Sequence, residues 1–165
     1  MNAFKIDEIS VATGTIGMCS LPGRSNELQS DLAQIAAWMP HTVISLTQPH
    51  EMAEFGVAGL KEYLRAREID WFGMPVLDYG VPDAEQEQVW AATQVKIVAL
   101  LQHQGRLLVH CKGGCGRTGM LVLRLMVVLG ETAELALLRL RAVRPCVVET
   151  DAQLAWAKSD CIKLK

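Results

Sequence analysis

Between Arg106 and Met120 an apolar run, a glycine-rich turn and a helix follow one another without a break, and no other stretch constrains the fold as tightly. Leu107, Leu108 and Val109 form a short apolar run suited to a buried parallel strand, whereas Met120 to Leu129 is too long for one and predicts a helix. Between them stands His110-Cys111-Lys112-Gly113-Gly114-Cys115-Gly116-Arg117-Thr118. Three glycines in four positions let backbone N–H groups turn toward one point, and a helix starting near Arg117 adds the positive end of its dipole there. Such a point is an anion site.

A cysteine at the floor of that cradle is favoured as the thiolate by the N–H groups, the helix N-terminus and a guanidinium, so Cys111 is the candidate nucleophile. Arg117 can return over the loop and hold two oxygens of a tetrahedral anion with its planar fork, which a lysine cannot do. Thr118 is placed to hydrogen-bond the cysteine sulfur. Nucleophile, oxyanion cradle and bidentate clamp together describe phosphoryl transfer through a phosphocysteine.

His110-Cys111-x-x-Gly114-x-x-Arg117-Thr118 resembles the signature of the cysteine-dependent protein tyrosine and dual-specificity phosphatases. That resemblance implies backbone N–H groups of Lys112, Gly113, Gly114, Cys115, Gly116 and Arg117 around the phosphate, with His110 orienting the cysteine. Protonation of the leaving oxygen needs an acid from outside the cradle. Asp78 and Asp83 compete for that role, and Asp83 reads as a helix N-cap. Asp78, followed by Tyr-Gly-Val-Pro, resembles the family's acid loop and is the better candidate, although Val76 and Leu77 stand where a tryptophan and a proline precede the acid in that loop. Glu149-Thr150-x-x-Gln153 resembles the segment that holds the hydrolytic water, with Glu149 in place of a glutamine. Gln153 reads equally well as a surface amide on a helix. Through Leu21-Pro22-Gly23 and Asp78-Tyr-Gly-Val-Pro-Asp83 the chain most resembles the dual-specificity group that includes the kinase-associated phosphatases.

Other readings explain less. Gly114-Cys115-Gly116-Arg117-Thr118-Gly119 is also a literal dinucleotide fingerprint, but it lies two thirds of the way along the chain and leaves His110 and Cys111 without a role. A zinc site built on His110, Cys111 and Cys115 lacks a second ligand pair at finger spacing. Lys112 resembles the basic loop residues with which phosphoinositide phosphatases and cysteine phytases hold additional phosphates, so an inositol phosphate or phosphoinositide substrate is the alternative. A non-catalytic phosphopeptide-binding module is the alternative of another class. The reaction implied by the resemblance uses no metal or cofactor.

Composition narrows the partners. Half of the residues are hydrophobic and the formal net charge is -2, so no global positive field recruits nucleic acid or an anionic membrane. Acidic residues near the start and Arg124 within the Met120–Leu129 run argue against a signal peptide and a membrane span. Five cysteines without framework spacing fit a reducing cytoplasm. Among them Cys115 is a candidate resolving thiol for an oxidised Cys111. The expected partner is a phosphorylated protein or small phosphomonoester; the oligomeric state is open.

Along the chain, Ile6–Thr13 and Thr15–Ser20 predict an edge hairpin, and Asn26 with Gln29 predicts a capping box opening a helix that Pro40 stops. Thr42–Leu46 and Ile69–Val76 predict strands, with helical pieces between them. Ala84–His103 predicts a long helix with Trp90, Ala91, Val95 and Ile97 on its apolar face. Thr132 is expected to cap a helix with Leu135, Leu138 and Val143 on its buried side, and Thr150 to cap the last one. Arg139, Arg141 and Arg144 read as a solvated charged face. The alternation predicts α/β architecture, a single phosphatase domain over residues 1–165 with a central, mostly parallel sheet flanked by helices. The nucleophile should stand at the carboxyl end of a strand.

Overall fold

A computed structural model describes residues 2–159. The central strand, β5 (Arg106–His110), lies between parallel neighbours β2 (Gly14–Cys19) and β3 (Thr42–Ser45). Its sequence is buried from Leu107 onward, because a strand covered on both faces has no solvent side on which to place polar residues. Sheet order is β1-β2-β5-β3-β4, with β1 (Asp7–Val11) antiparallel to β2 and β4 (Asp70–Gly73) parallel to β3.

The pleat divides the core in two. Leu107 and Val109 of β5 face one hydrophobic cluster and Leu108 the other. Helices α1 (Leu28–Trp38), α2 (Pro49–Glu54) and α3 (Leu60–Arg65) cover the Leu108 side. The opposite side is covered by α4 (Ala84–Gln102), α5 (Gly116–Val128), α6 (Ala133–Val143) and α7 (Asp151–Lys158). Every residue of α5 from Gly116 to Met126 is buried, so the helix that leaves the cradle is also the spine of that layer. Arg124 is accommodated there by its bond to the carbonyl of Trp156 at 2.9 Å, with its guanidinium over the Trp156 ring.

Several local expectations are corrected. Asn26 and Gln29 form no capping box: Asn26 is in the left-handed region, α1 is capped by Glu27 without a side-chain bond, and the buried carboxylate of Asp31 instead accepts from Gly23 N–H at 2.8 Å. The predicted Ile69–Val76 strand contracts to Asp70–Gly73, because beyond it Met74 and Val76 bond back to Ser45 and Leu46 as a loop. Leu135 and Leu138 are exposed on α6, whose buried side is Ala136 and Leu140, and Val95 of α4 is exposed. Of the three arginines expected on a solvated face, Arg139 and Arg141 are exposed, while donating to the carbonyls of Ser10 and of Val147 and Val148; Arg144 departs from it, being partly buried and donating to the carbonyls of Gly113 and Gly114. Asp83, Thr132 and Thr150 do cap α4, α6 and α7.

Candidate active site

Cys111 stands one residue beyond β5, at the carboxyl edge of the sheet, in a cavity of about 260 Å³ lined by Arg24, Asp78, Tyr79, Lys112, Gly116 and Glu149 among others. The loop above it is held by its carbonyls. Lys112 O accepts from Leu21 N–H at 3.1 Å, Gly113 O and Gly114 O from Arg144 at 3.2 and 2.7 Å, and Cys115 O from Gly119 N–H at 2.7 Å. A trans peptide points its N–H opposite to its C=O, so turning these four carbonyls outward aims the N–H groups of residues 113–116 at the cavity. Gly114 has φ +71, and a Cβ there would lie 2.4 Å from Cys19 O. Only glycine fits so close to β2 in that conformation.

His110 fixes the start of the loop from below. It is wholly buried, and burial lowers its pKa from the ordinary 6.5 to about 4, so the ring is neutral at pH 7. Its Nδ1 lies 3.3 Å from Cys111 O, a group that only accepts, which assigns the proton to Nδ1. Nε2 is then the acceptor for Ser45 Oγ–H at 2.5 Å, and Ser45 Oγ in turn accepts from Trp71 Nε1–H at 2.9 Å.

Arg117 is buried and its guanidinium is held by a residue the sequence did not single out. Nη1 donates to Glu51 Oε2 at 2.7 Å and to Val76 O at 3.0 Å, and Nη2 to Glu51 Oε1 at 2.8 Å. Nη2 also lies 3.2 Å from Asp78 Oδ1. Burial alone would push the Glu51 carboxyl up; the bonds from Arg117 and from Gln48 N–H outweigh it and hold the group below its ordinary range. For Arg117 burial works downward, while the bonds it donates to Glu51 and the charges of Cys111, Glu51 and Asp78 raise it. Both stay charged. Nε of Arg117 is buried and unpartnered, a donor left over beside the cradle.

Of the two candidate acids, Asp83 is occupied as the α4 cap, accepting from Gln86 N–H at 2.9 Å, whereas Asp78 reaches over the cavity to Arg117. Tyr79, at φ 60, donates its N–H to Asp78 Oδ1 at 3.1 Å. Thr118 is buried and its hydroxyl makes no hydrogen bond, so the expected contact with the cysteine sulfur is not formed. Gln153 is wholly buried, which removes its reading as a surface amide. Its Oε1 accepts from Glu149 N–H at 2.9 Å and Thr150 N–H at 3.3 Å, and its Nε2 donates to Gly80 O at 3.3 Å, tying α7 to the acid loop. A Cβ on Gly116 would run into Glu149 Oε2 first and would lie 2.8 Å from Gln153 Oε1, so the first residue of α5 is small because both side chains press on it.

Cys115 corrects the sequence reading most plainly. It forms a disulfide with Cys146, with Cα atoms 5.2 Å apart, and while that bridge is closed it has no thiol with which to resolve an oxidised Cys111. Cys19 and Cys111 are the free cysteines among the described residues; Cys161 lies outside them.

Residues 11–158 match the family described as PTP-SAK, Swiss Army Knife protein, DSP-PTPase phosphatase domain. The chain belongs to this family. Over 122 residues it is 31% identical to "Protein tyrosine phosphatase domain-containing protein 1" of Danio rerio and to that of Mus musculus, covering 68% of the chain. It spans 16% of the length of these curated relatives. Among solved structures it is similar to kinase-associated phosphatase (KAP) bearing a serine at the catalytic-site cysteine, with TM-score 0.81, 20% identity, and 95% and 93% of the two chains covered. It is also similar to PTPMT1 in complex with PI(5)P, with TM-score 0.66, 16% identity and 92% of each chain covered. At these identities the likeness is one of fold. Within the DSP-PTPase family frame the features that sequence reading missed are Glu51, Arg144 and the Cys115–Cys146 disulfide. Glu51 had a signal of its own, since Gln48-Pro49-His50-Glu51 has the spacing of a capping box, which the structure shows.

Proposed function

We propose that this phosphatase-family domain, taken as residues 1–165, hydrolyses phosphotyrosine monoesters, and phosphoserine or phosphothreonine monoesters as well, through a phosphocysteine intermediate. The observation that carries the reading is the convergence of Cys111, the cradle loop and Asp78 on one cavity, with the buried, Glu51-anchored Arg117 paired to the Asp78 carboxylate behind it.

The phosphate enters against the N–H groups and Arg117, taking the place that Asp78 holds beside Nη2. Cys111 Sγ attacks phosphorus in line, the S–P bond forms and the bond to the leaving oxygen breaks, with Asp78 as the acid that protonates that oxygen. In the second step Asp78, now a carboxylate, takes a proton from a water oriented by Gln153. The water oxygen bonds to phosphorus, S–P breaks, and the Thr118 hydroxyl, unpartnered at rest, turns to donate to the departing thiolate. A cytoplasmic location belongs to this proposal. Among the described residues no helix is long and apolar enough to cross a membrane.

An inositol phosphate substrate is favoured less, because the Lys112 ammonium is already paired, 3.6 Å from Glu54 and over the Phe55 ring. The test is phosphate release, in chelator, from a phosphotyrosine peptide, a phosphothreonine peptide and a soluble inositol phosphate, with Cys111→Ser as control. Cys111-dependent release from the peptides is expected. Release mainly from the inositol phosphate would reassign the substrate, and binding of peptide with no release from any substrate would make the domain a recognition module.

A further inference from the structure

Arg24 lies in the turn after β2 and lines the phosphate cavity, yet its guanidinium has no hydrogen-bond or ion-pair partner among the described residues. It is held close to the cradle: a Cβ built on Gly113 would lie 3.3 Å from Arg24 Nη1. The turn that carries it is built on buried groups. Leu21, Pro22 and Gly23 are buried, Leu21 N–H bonds to Lys112 O at 3.1 Å, and the Asp31 carboxylate holds Gly23 N–H.

Arg24, Gly113 and Cys115 are also shared by a second, larger cavity of about 630 Å³ that adjoins the first. Its charged lining is Lys5, Arg24 and Arg144 against the single carboxylate of Asp7. Asp7 already bonds both Lys5 and Arg144, at 2.5 and 2.8 Å, which leaves Arg24 as the cation in that wall with no counter-charge. An unpaired guanidinium at the seam of two cavities, presenting a planar fork, fits an oxyanion.

We infer that Arg24 and the adjoining basic cavity bind a second anionic group of the substrate, a carboxylate or phosphate on a residue neighbouring the phosphorylated one. The inference rests on the protein-phosphatase reading above and specifies its substrate class as acidic phosphopeptides. A peptide is favoured over a compact bisphosphate because the open second cavity is more than twice the volume of the first and continues along the surface from it.

The test compares two phosphotyrosine peptides that differ only in carrying glutamates or glutamines beside the phosphotyrosine, with a myo-inositol bisphosphate as third ligand. Binding to Cys111→Ser protein is read by fluorescence anisotropy and by competition, and kcat/KM is read on the catalytic protein. Expected is tighter binding of the acidic peptide, with the acidic-to-neutral ratio falling about tenfold in Arg24→Ala and recovering in part in Arg24→Lys, as loss of a charge-assisted hydrogen bond predicts. An acidic-to-neutral ratio near one, or one that Arg24→Ala leaves unchanged, overturns the inference. So does an Arg24-dependent preference for the inositol bisphosphate over both peptides. If the Arg24-dependent ratio is present in binding while no peptide is turned over, the enzymatic reading fails and the subsite stands.

Discussion

The carboxylate of Glu51 faces the guanidinium of Arg117 in a two-point pair, Oε2 to Nη1 at 2.7 Å and Oε1 to Nη2 at 2.8 Å, with both side chains buried. Glu51 lies on α2 and Arg117 on α5, on opposite faces of the sheet, so the pair closes the carboxyl edge of β3 and β5 at the cradle. The pair fixes which edge of the fork is turned to a ligand.

Glu51→Gln should therefore damage stability and activity together. Removing one partner strands a buried charge, a loss of about 3 kcal/mol in urea unfolding. The released guanidinium should lower kcat/KM on the order of a hundredfold through misplacement. A stable Glu51→Gln protein with undiminished turnover would show that Arg117 is positioned by something else.

Acidification should unfold the protein in two stages. His110 has a folded pKa depressed to about 4. The unfolded chain takes up a proton near pH 6.5 that the folded chain refuses, so stability is complete above that range and declines as pH falls toward 4. The decline attributable to His110 is on the order of 2–3 kcal/mol. Glu51, held below its ordinary range, adds the same sign lower down, its contribution being lost as pH falls through its folded value. Asp31, raised by burial, works in the opposite direction. Urea midpoints from pH 7.5 to 4.5 should fall for the wild type, and the fall should be smaller in His110→Asn. Parallel curves for the two proteins would remove His110 as the cause.

The disulfide predicts a measurable link between redox state and the cradle. Cys115 and Cys146 are 31 residues apart, and opening a loop of that length releases about 3.5 kcal/mol of chain-entropy restriction in the unfolded state. Reduction should raise the thiol count of the denatured protein by two and lower its unfolding midpoint, and Cys146→Ser should reproduce the lower midpoint without reductant. In a reducing compartment the bridge would stand open. Alkylation of thiols in intact cells before lysis, followed by mass spectrometry, then reports where the folded protein resides.

What was legible in the sequence was local. His110 to Thr118 is one contiguous stretch whose chemistry follows from residue types and spacing, and the caps at Asp83, Thr132 and Thr150 are bonded within three residues. Glu51 is 66 residues from Arg117, and only the parallel register of β3 on β5 brings its helix to the site. Arg144 looked like a surface charge because nothing in sequence indicates that carbonyls 30 residues earlier point at it. Cysteine pairing cannot be read from spacing alone, so Cys146 gave no sign of its partner. Asn26 had the right neighbours for a cap, but the buried Asp31 holds the turn instead, and α1 starts without it.

Asp78 offers the sharpest separation of roles. It is half exposed on a loop and touches Arg117 at 3.2 Å, so Asp78→Asn removes a proton donor while changing little of the packing. General acid help matters in proportion to how poor the leaving group is, and its loss typically slows such a step by about 10²–10⁴. Asp78→Asn should thus depress kcat strongly with a phosphothreonine peptide, whose alkoxide leaves poorly, and far less with p-nitrophenyl phosphate, whose phenoxide is stable without protonation. The wild-type ratio of the two rates should shift by at least an order of magnitude in the variant. Asp83→Asn, which retains an N-cap on α4, should leave that ratio where it is. Equal losses on both substrates in Asp78→Asn would mean that Asp78 acts on binding through Arg117, and the acid would then have to be sought elsewhere around the cavity, with Glu149 the next carboxylate on its wall.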